Sequence, residues 1–279
     1  MSSLIRHLAL VSESAIVAPG DLMRVAAALQ KQASRDLAPV WDVGATVDAF
    51  ARLEDVPTDY WPMIVMDDIG YAGAAGIHMD KDGQPFGLIT ASNDPDEWSL
   101  TASHESVEML VDPYGNHLVG GDSIKPKQGR VNYLVEVADP SEAAQFGYSI
   151  NGVLVSDFYT PHFFDPVADG GVRYSFTGAI QGPRRVLRGG YLSWHDLASD
   201  HWWQQVWFGT AEPVFRDLGV LTGEGNLRAK VDRATPERKA RGEGGRASAA
   251  LVGMPVSAMA KPAETRAQNL RAQIAELVK

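Results

Sequence analysis

Ser99-Leu100-Thr101-Ala102-Ser103-His104-Glu105-Ser106-Val107-Glu108-Met109-Leu110-Val111-Asp112-Pro113-Tyr114-Gly115-Asn116 is the stretch on which the fold turns. Val107, Leu110 and Val111 recur at helical spacing, and Asp112-Pro113 closes the segment because proline cannot continue the ladder. The expectation is a helix carrying His104-Glu105-x-x-Glu108. Positions four apart stand one turn above each other, so His104 and Glu108 project from the same face. An imidazole nitrogen and a carboxylate oxygen so placed can hold a divalent metal, and Glu105 beside them can take a proton from a metal-bound water. The plainer expectation is that His104 belongs to a buried hydrogen-bond network, with Glu105 and Glu108 on a solvated helix face.

Composition narrows the chemistry. At 279 residues and 45% hydrophobic, the chain can bury one large core or two small ones. A formal net charge of -10 argues against a nucleic-acid partner. No apolar run reaches the length of a membrane span. Met1 to Ser12 lacks the basic start and long apolar core of a secretory signal, so the default expectation is a cytoplasmic protein with no membrane partner. The absence of cysteine excludes disulfides and thiolate metal sites. Any metal must therefore use histidine and carboxylates, which suit zinc and also manganese, iron or calcium.

Ahead of the helix, Leu8 to Val11 is a short apolar run expected to form a strand. Pro19-Gly20-Asp21 then opens a helix with Asp21 as N-cap, and Leu22, Val25, Ala26, Leu29, Ala33 and Leu37 mark its apolar face. Ala45 to Phe50 reads as a second strand. Trp61 to Met66 is a continuous apolar run of the kind covered on both faces. A glycine-rich passage from Gly70 to Gly76 follows. Ile77 to Met79 and Pro85 to Ala91 then flank Asp80-Lys81-Asp82-Gly83, a hairpin signal.

This order of elements, ending in a helix that bears His104-Glu105-x-x-Glu108, resembles the N-terminal half of zincin metallopeptidases over residues 8 to 116. The His-Glu-x-x-Glu-x-x-x-Asp-Pro pattern is also similar to that of some bacterial proteins. Zincins carry His-Glu-x-x-His, so glutamate replaces the second histidine here. The resemblance implies an α+β fold: a zincin-like mixed sheet with an active-site helix, additional β-hairpins and a C-terminal helical tail. It implies zinc held by His104 and Glu108, Glu105 as the base, and hydrolysis of a peptide or protein substrate. In that superfamily the edge strand beside the active-site helix binds extended substrate, a part that falls to Phe86 to Thr90.

Zincins of the glutamate-ligand type take a third ligand from a glutamate well past the helix, with an acidic residue a few positions on. Glu136-x-x-Asp139 fits that spacing, with Glu136 as ligand and Asp139 orienting His104, or with the roles exchanged. The family places this pair on a helix, whereas Gly129 to Pro140 reads as a strand running into an acidic corner. Asp112 shares a helical face with His104, but an Asp-Pro is also a common helix stop.

Beyond it, Phe146 to Tyr159 reads as a hairpin around Asn151-Gly152. The aromatic cluster Ser156 to Asp165 contains His162, a candidate for oxyanion stabilisation or ligation, with burial in the core as the plainer alternative. Val172 to Ile180 and Val186 to Trp194 are expected strands. Trp203 and Trp207, four apart, suggest a helix packed onto the sheet.

The domain expectation is a zincin-like domain over 1–218, a flexible basic and Ala-Gly-Pro linker over 219–262, and an amphipathic C-terminal helix over 263–279. That tail is suited to contact a partner or another copy. Three other readings compete with the zinc peptidase: a non-catalytic zincin-like binding protein, since losing the second histidine is a change expected where catalysis has lapsed; a calcium- or manganese-dependent protein; and a glycan-binding module built on the tryptophans.

Overall fold

The computed structural model describes residues 5–71 and 73–235. The chain runs through β1 (Ile5–Ser12), α1 (Pro19–Lys31), α2 (Ala38–Trp41), β2 (Gly44–Phe50), β3 (Trp61–Met66), β4 (Gly76–Lys81), β5 (Gln84–Thr90) and α3 (Pro95–Val111). It continues with β6 (Leu118–Asp122), β7 (Arg130–Leu134), β8 (Tyr148–Ile150), β9 (Val153–Val155), β10 (Tyr191–Asp196), β11 (His201–Val206), β12 (Val214–Gly219) and α4 (Leu227–Ala234). The result is an α+β chain in two compact units. Among the described residues, one runs up to Pro113 and includes Ser149–Val155; the other holds Tyr114–Tyr148 and residues 156–235. The expected C-terminal helix over 263–279 lies outside the described residues.

The first unit is built on a five-stranded sheet in the order β2-β1-β3-β5-β4. β1 pairs in parallel with β2 and β3, β3 pairs in parallel with β5, and only β4 runs antiparallel. The outer strand is therefore β4. Phe86 to Thr90, expected at the edge, lies in β5 between β3 and β4, because the Asp82-Gly83 turn folds the earlier strand of the hairpin outward. Both turn residues take positive φ, as this tight hairpin requires.

Strand alternation sorts the side chains. Ala9, Val11, Ile64, Ile77, Phe86 and Leu88 pack on one face with Leu53 and Val56. Leu8, Leu10, Met63 and Val65, all buried, belong to the other face. α1 and α3 pack with this unit's strands, α3 against β4, β5 and β9. Asp21 is not the N-cap of α1. Ala18 holds that position without a side-chain bond, and Asp21 sits in the first turn paired with Arg24. The helical run passes through a wider π-helical turn at Gln32–Leu37 before α2.

In the second unit the sheet order is β12-β11-β10-β7-β6, antiparallel throughout. Tyr133 and Trp194 meet inside it at 5.9 Å between ring centroids. Burial pushes the Tyr133 phenol up to about 12, and its hydroxyl donates to the Asp122 carbonyl at 2.9 Å.

Four expectations fail in this unit. Residues 172–180 form no strand; they are turns tied by Thr177 N–H to Asp157 Oδ1 (2.8 Å) and by one bridge, Tyr159 to Ser175. The strand expected from Val186 begins only at Tyr191. The Trp203 segment is a strand, not a helix: Trp202, Gln204 and Val206 are buried while Trp203 and Gln205 are not. The stretch read as linker from Leu227 opens with α4, capped by Asn226 and packed through Val231 with Leu134 and Trp202.

Candidate metal centre

Local chemistry sets the ends of α3. Asp94 caps it by accepting from the Asp96 N–H (3.0 Å), Pro95 occupies the first turn, and Asp96 and Glu97 favour the positive end of the helix dipole. Asp112 closes it, its N–H bonded to the Glu108 carbonyl at 2.7 Å, and Pro113 forbids continuation.

What lies between is unusual. Every residue from Trp98 to Leu110 is buried, including four hydroxyls and three ionisable groups. The hydroxyls are satisfied. Ser99 donates to the Leu154 carbonyl (2.8 Å), Thr101 to Glu97 (3.0 Å), Ser103 to Gln32 Oε1 (2.8 Å) and Ser106 to Ala102 (2.6 Å). The expected solvated face for Glu105 and Glu108 does not exist; they are 3% and 0% exposed.

His104 and Glu108 meet as their spacing requires, with Nε2 3.3 Å from Glu108 Oε2. Sequence spacing alone did not show a second imidazole, His78. In β4, Ile77 joins the apolar cluster on one face of the sheet, so alternation turns His78 to the opposite face, beside α3. Its Nδ1 stands 3.3 Å from Glu105 Oε2 and 3.7 Å from Glu108 Oε2. Its Nε2 is 3.2 Å from the Asp112 carbonyl. A carbonyl only accepts, so Nε2 carries the proton and Nδ1 faces the two carboxylates.

Gly76 makes this approach possible. A Cβ there would fall 2.5 Å from Thr101 Cγ2 and 2.8 Å from Glu105 Oε1, so the helix and its carboxylate rest directly on the strand backbone.

The fit to a metal can be tested on these separations. Two nitrogen or oxygen ligands bound at about 2.0–2.2 Å to one tetrahedral ion lie about 3.3–3.6 Å apart. The two separations of 3.3 Å, His78 Nδ1 to Glu105 Oε2 and His104 Nε2 to Glu108 Oε2, fall in that range, and the 3.7 Å from His78 Nδ1 to Glu108 Oε2 lies just beyond it. They are longer than a charge-assisted N–H···O bond, which runs at about 2.7–2.9 Å. His78, Glu105 and Glu108 each offer a donor atom, all within 4.8 Å of one another. Imidazole and carboxylate donors fit zinc, manganese or cobalt.

The remaining candidates lie in the second unit. Glu136 follows β7 and faces Arg228 of α4, Nε to Oε2 at 3.3 Å. Asp139 is 2% exposed and opens a short turn, Asp139–Ser141. Gly190 crosses this turn so closely that a Cβ would meet the Asp139 carbonyl at 2.6 Å. His162 is half exposed, with Nδ1 2.8 Å from Asp165 Oδ2. Asp112 is buried and serves the centre through its backbone carbonyl.

No family model, curated protein or solved structure matches the chain. Among the described residues, no helix is long and apolar enough to cross a membrane.

Proposed function

We propose that the chain is a zinc-dependent hydrolase of peptide bonds with its centre on α3. The observation that carries this reading is His104 Nε2 at 3.3 Å from Glu108 Oε2 on a helix buried on all sides, with Glu105 next to the first ligand. Burying carboxylates costs several kcal/mol per ion unless a counter-charge is supplied, and a divalent cation supplies it. The sheet also supports a zincin-like layout: β4 is an antiparallel outer strand and α3 follows β5 directly.

His104 and Glu108 hold the ion. When bound, zinc supplies a Lewis acid that polarises a carbonyl and lowers the pKa of water. Glu105 takes up the proton at its carboxylate and returns it to the leaving amine. Gly76 leaves room for that carboxylate, and His78 stands beside it. An extended peptide adds to β4 by backbone pairing.

The test is a pair of variants assayed with a fluorescent casein and by zinc content. Glu105→Gln keeps zinc and loses hydrolysis, whereas His104→Ala loses both. An active Glu105→Gln protein overturns the mechanism, and a wild type that takes up no zinc overturns the centre. Of the two further acids that the sequence offers as ligand, Arg228 already engages Glu136.

A further inference from the structure

We propose that His78, Glu105 and Glu108 form a second cation site, which shares Glu108 with the His104 site and takes Glu105 out of proton transfer when it fills. The site deepens the zinc hydrolase reading, and only its effect on Glu105 rests on that reading. Three observations carry it.

The first is the placement of the imidazole. The Asp112 carbonyl accepts from Nε2 at 3.2 Å, which aims Nδ1 at Glu105 Oε2 (3.3 Å) and Glu108 Oε2 (3.7 Å). A divalent cation lying among Nδ1 and the two carboxylate oxygens would be met by one nitrogen and two oxygen donors. A ring nitrogen donating to a backbone carbonyl while the other binds metal is the usual arrangement for a histidine ligand.

The second is charge. Two carboxylates balance one divalent ion, and one nitrogen with two oxygens suits zinc, cobalt(II) or manganese(II). The third is geometry. The three donors lie within 4.8 Å of one another in a group that does not include His104, and both imidazoles approach the same oxygen, Glu108 Oε2, which would bridge the two ions. All three residues are at most 3% exposed, and the elements that bring them together, β4 and α3, are ordered by pairing with β5 and by the caps of the helix.

The consequence follows from Glu105 having one role at a time. With the second ion bound, Glu105 Oε2 is a ligand and cannot accept a proton. Excess zinc then inhibits the enzyme, and the inhibitory ion is the one held by His78.

Isothermal titration of chelator-treated full-length protein with zinc tests this without any substrate. Wild type takes up a second, weaker equivalent beyond the first. His78→Ala removes the second equivalent and keeps the first. His104→Ala removes the first and keeps uptake at the His78 group. Glu108→Gln weakens both. Glu105→Gln is nearly isosteric, so should His78→Ala fail to fold by far-UV circular dichroism, loss of the second equivalent in Glu105→Gln carries the same information.

Other outcomes overturn the proposal. A single equivalent that His104→Ala abolishes and His78→Ala leaves intact ends the second site while the hydrolase centre stands. A single equivalent lost in both variants means one shared ion and also refutes the inference. A single equivalent lost only in His78→Ala upholds the His78 group and sinks the His104 centre instead.

Discussion

Gly76→Ala tests the closest packing at the centre, and its magnitude follows from the coordinates. The added methyl would fall 2.5 Å from Thr101 Cγ2, 2.8 Å from Glu105 Oε1 and 2.9 Å from Glu105 Cγ. Thr101 lies in the part of the helix buried from Trp98 to Leu110 and its hydroxyl is bonded to the Glu97 carbonyl, so it has little room to retreat. Overpacking of this kind costs about 1–3 kcal/mol. Replacing glycine by alanine returns about 0.4–1 kcal/mol through the unfolded chain, since Gly76 does not take a positive φ. The net expectation is a loss of about 1–2 kcal/mol, or roughly 2–8 °C in Tm. Zinc affinity falls as well, because Glu105 must move. Thr101→Ser removes the nearest methyl, so the double variant Gly76→Ala/Thr101→Ser should recover part of the loss, with a coupling of at least about 0.5 kcal/mol. Thermal denaturation of the four proteins reads the cycle. A Gly76→Ala protein as stable as wild type, with no coupling to Thr101, would refute the packing.

Two further predictions concern buried charge in the second unit. Burial pushes the Asp157 carboxyl above its ordinary value, only partly opposed by the bond from Thr177 N–H. The folded state therefore holds the proton more tightly than the unfolded chain, and stability falls as pH rises from the unfolded pKa through the raised folded one. Asp157→Asn should be more stable than wild type at neutral pH, with the difference vanishing in acid, as read by melting curves across pH. A constant difference would contradict this. Arg228 and Glu136 are 5% and 7% exposed and 3.3 Å apart. Arg228→Ala leaves Glu136 buried beside a lost guanidinium and should cost about 3–5 kcal/mol in urea denaturation, much of it recovered by Arg228→Met/Glu136→Leu. Equal losses in both proteins would argue against a coupled pair.

Much of the first unit is legible in its letters. The apolar runs of β1 and β3 sit at the centre of a parallel sheet, where both faces are covered and alternation gives way to continuous hydrophobicity. Asp82-Gly83 and Asn151-Gly152 turn where expected because both pairs accept positive φ. The helix around His104 is also legible from its stop and its apolar spacing.

His78 is not. It lies 26 residues before His104, and only the β4–β5 register and the alternation along β4 bring it to α3. Nor does the sequence show that Glu105 and Glu108 are buried, since a helix covered on all sides keeps its polar residues only when tertiary partners meet them. In the tryptophan segment two periods compete. Trp203 and Trp207 fit a helix, but Trp202, Gln204 and Val206 alternate, and pairing with β10 and β12 decides for the strand. Residues 172–180 are hydrophobic enough for a strand, yet Gly178 takes a positive φ and the local bonds close turns.

The most direct measurement is anomalous diffraction at the zinc edge from crystals of the full-length protein grown with zinc. The expected result is a peak at about 2.0–2.2 Å from both His104 Nε2 and Glu108 Oε2. Full-occupancy zinc elsewhere in the map, with no density between those two atoms, would contradict a metal centre on α3.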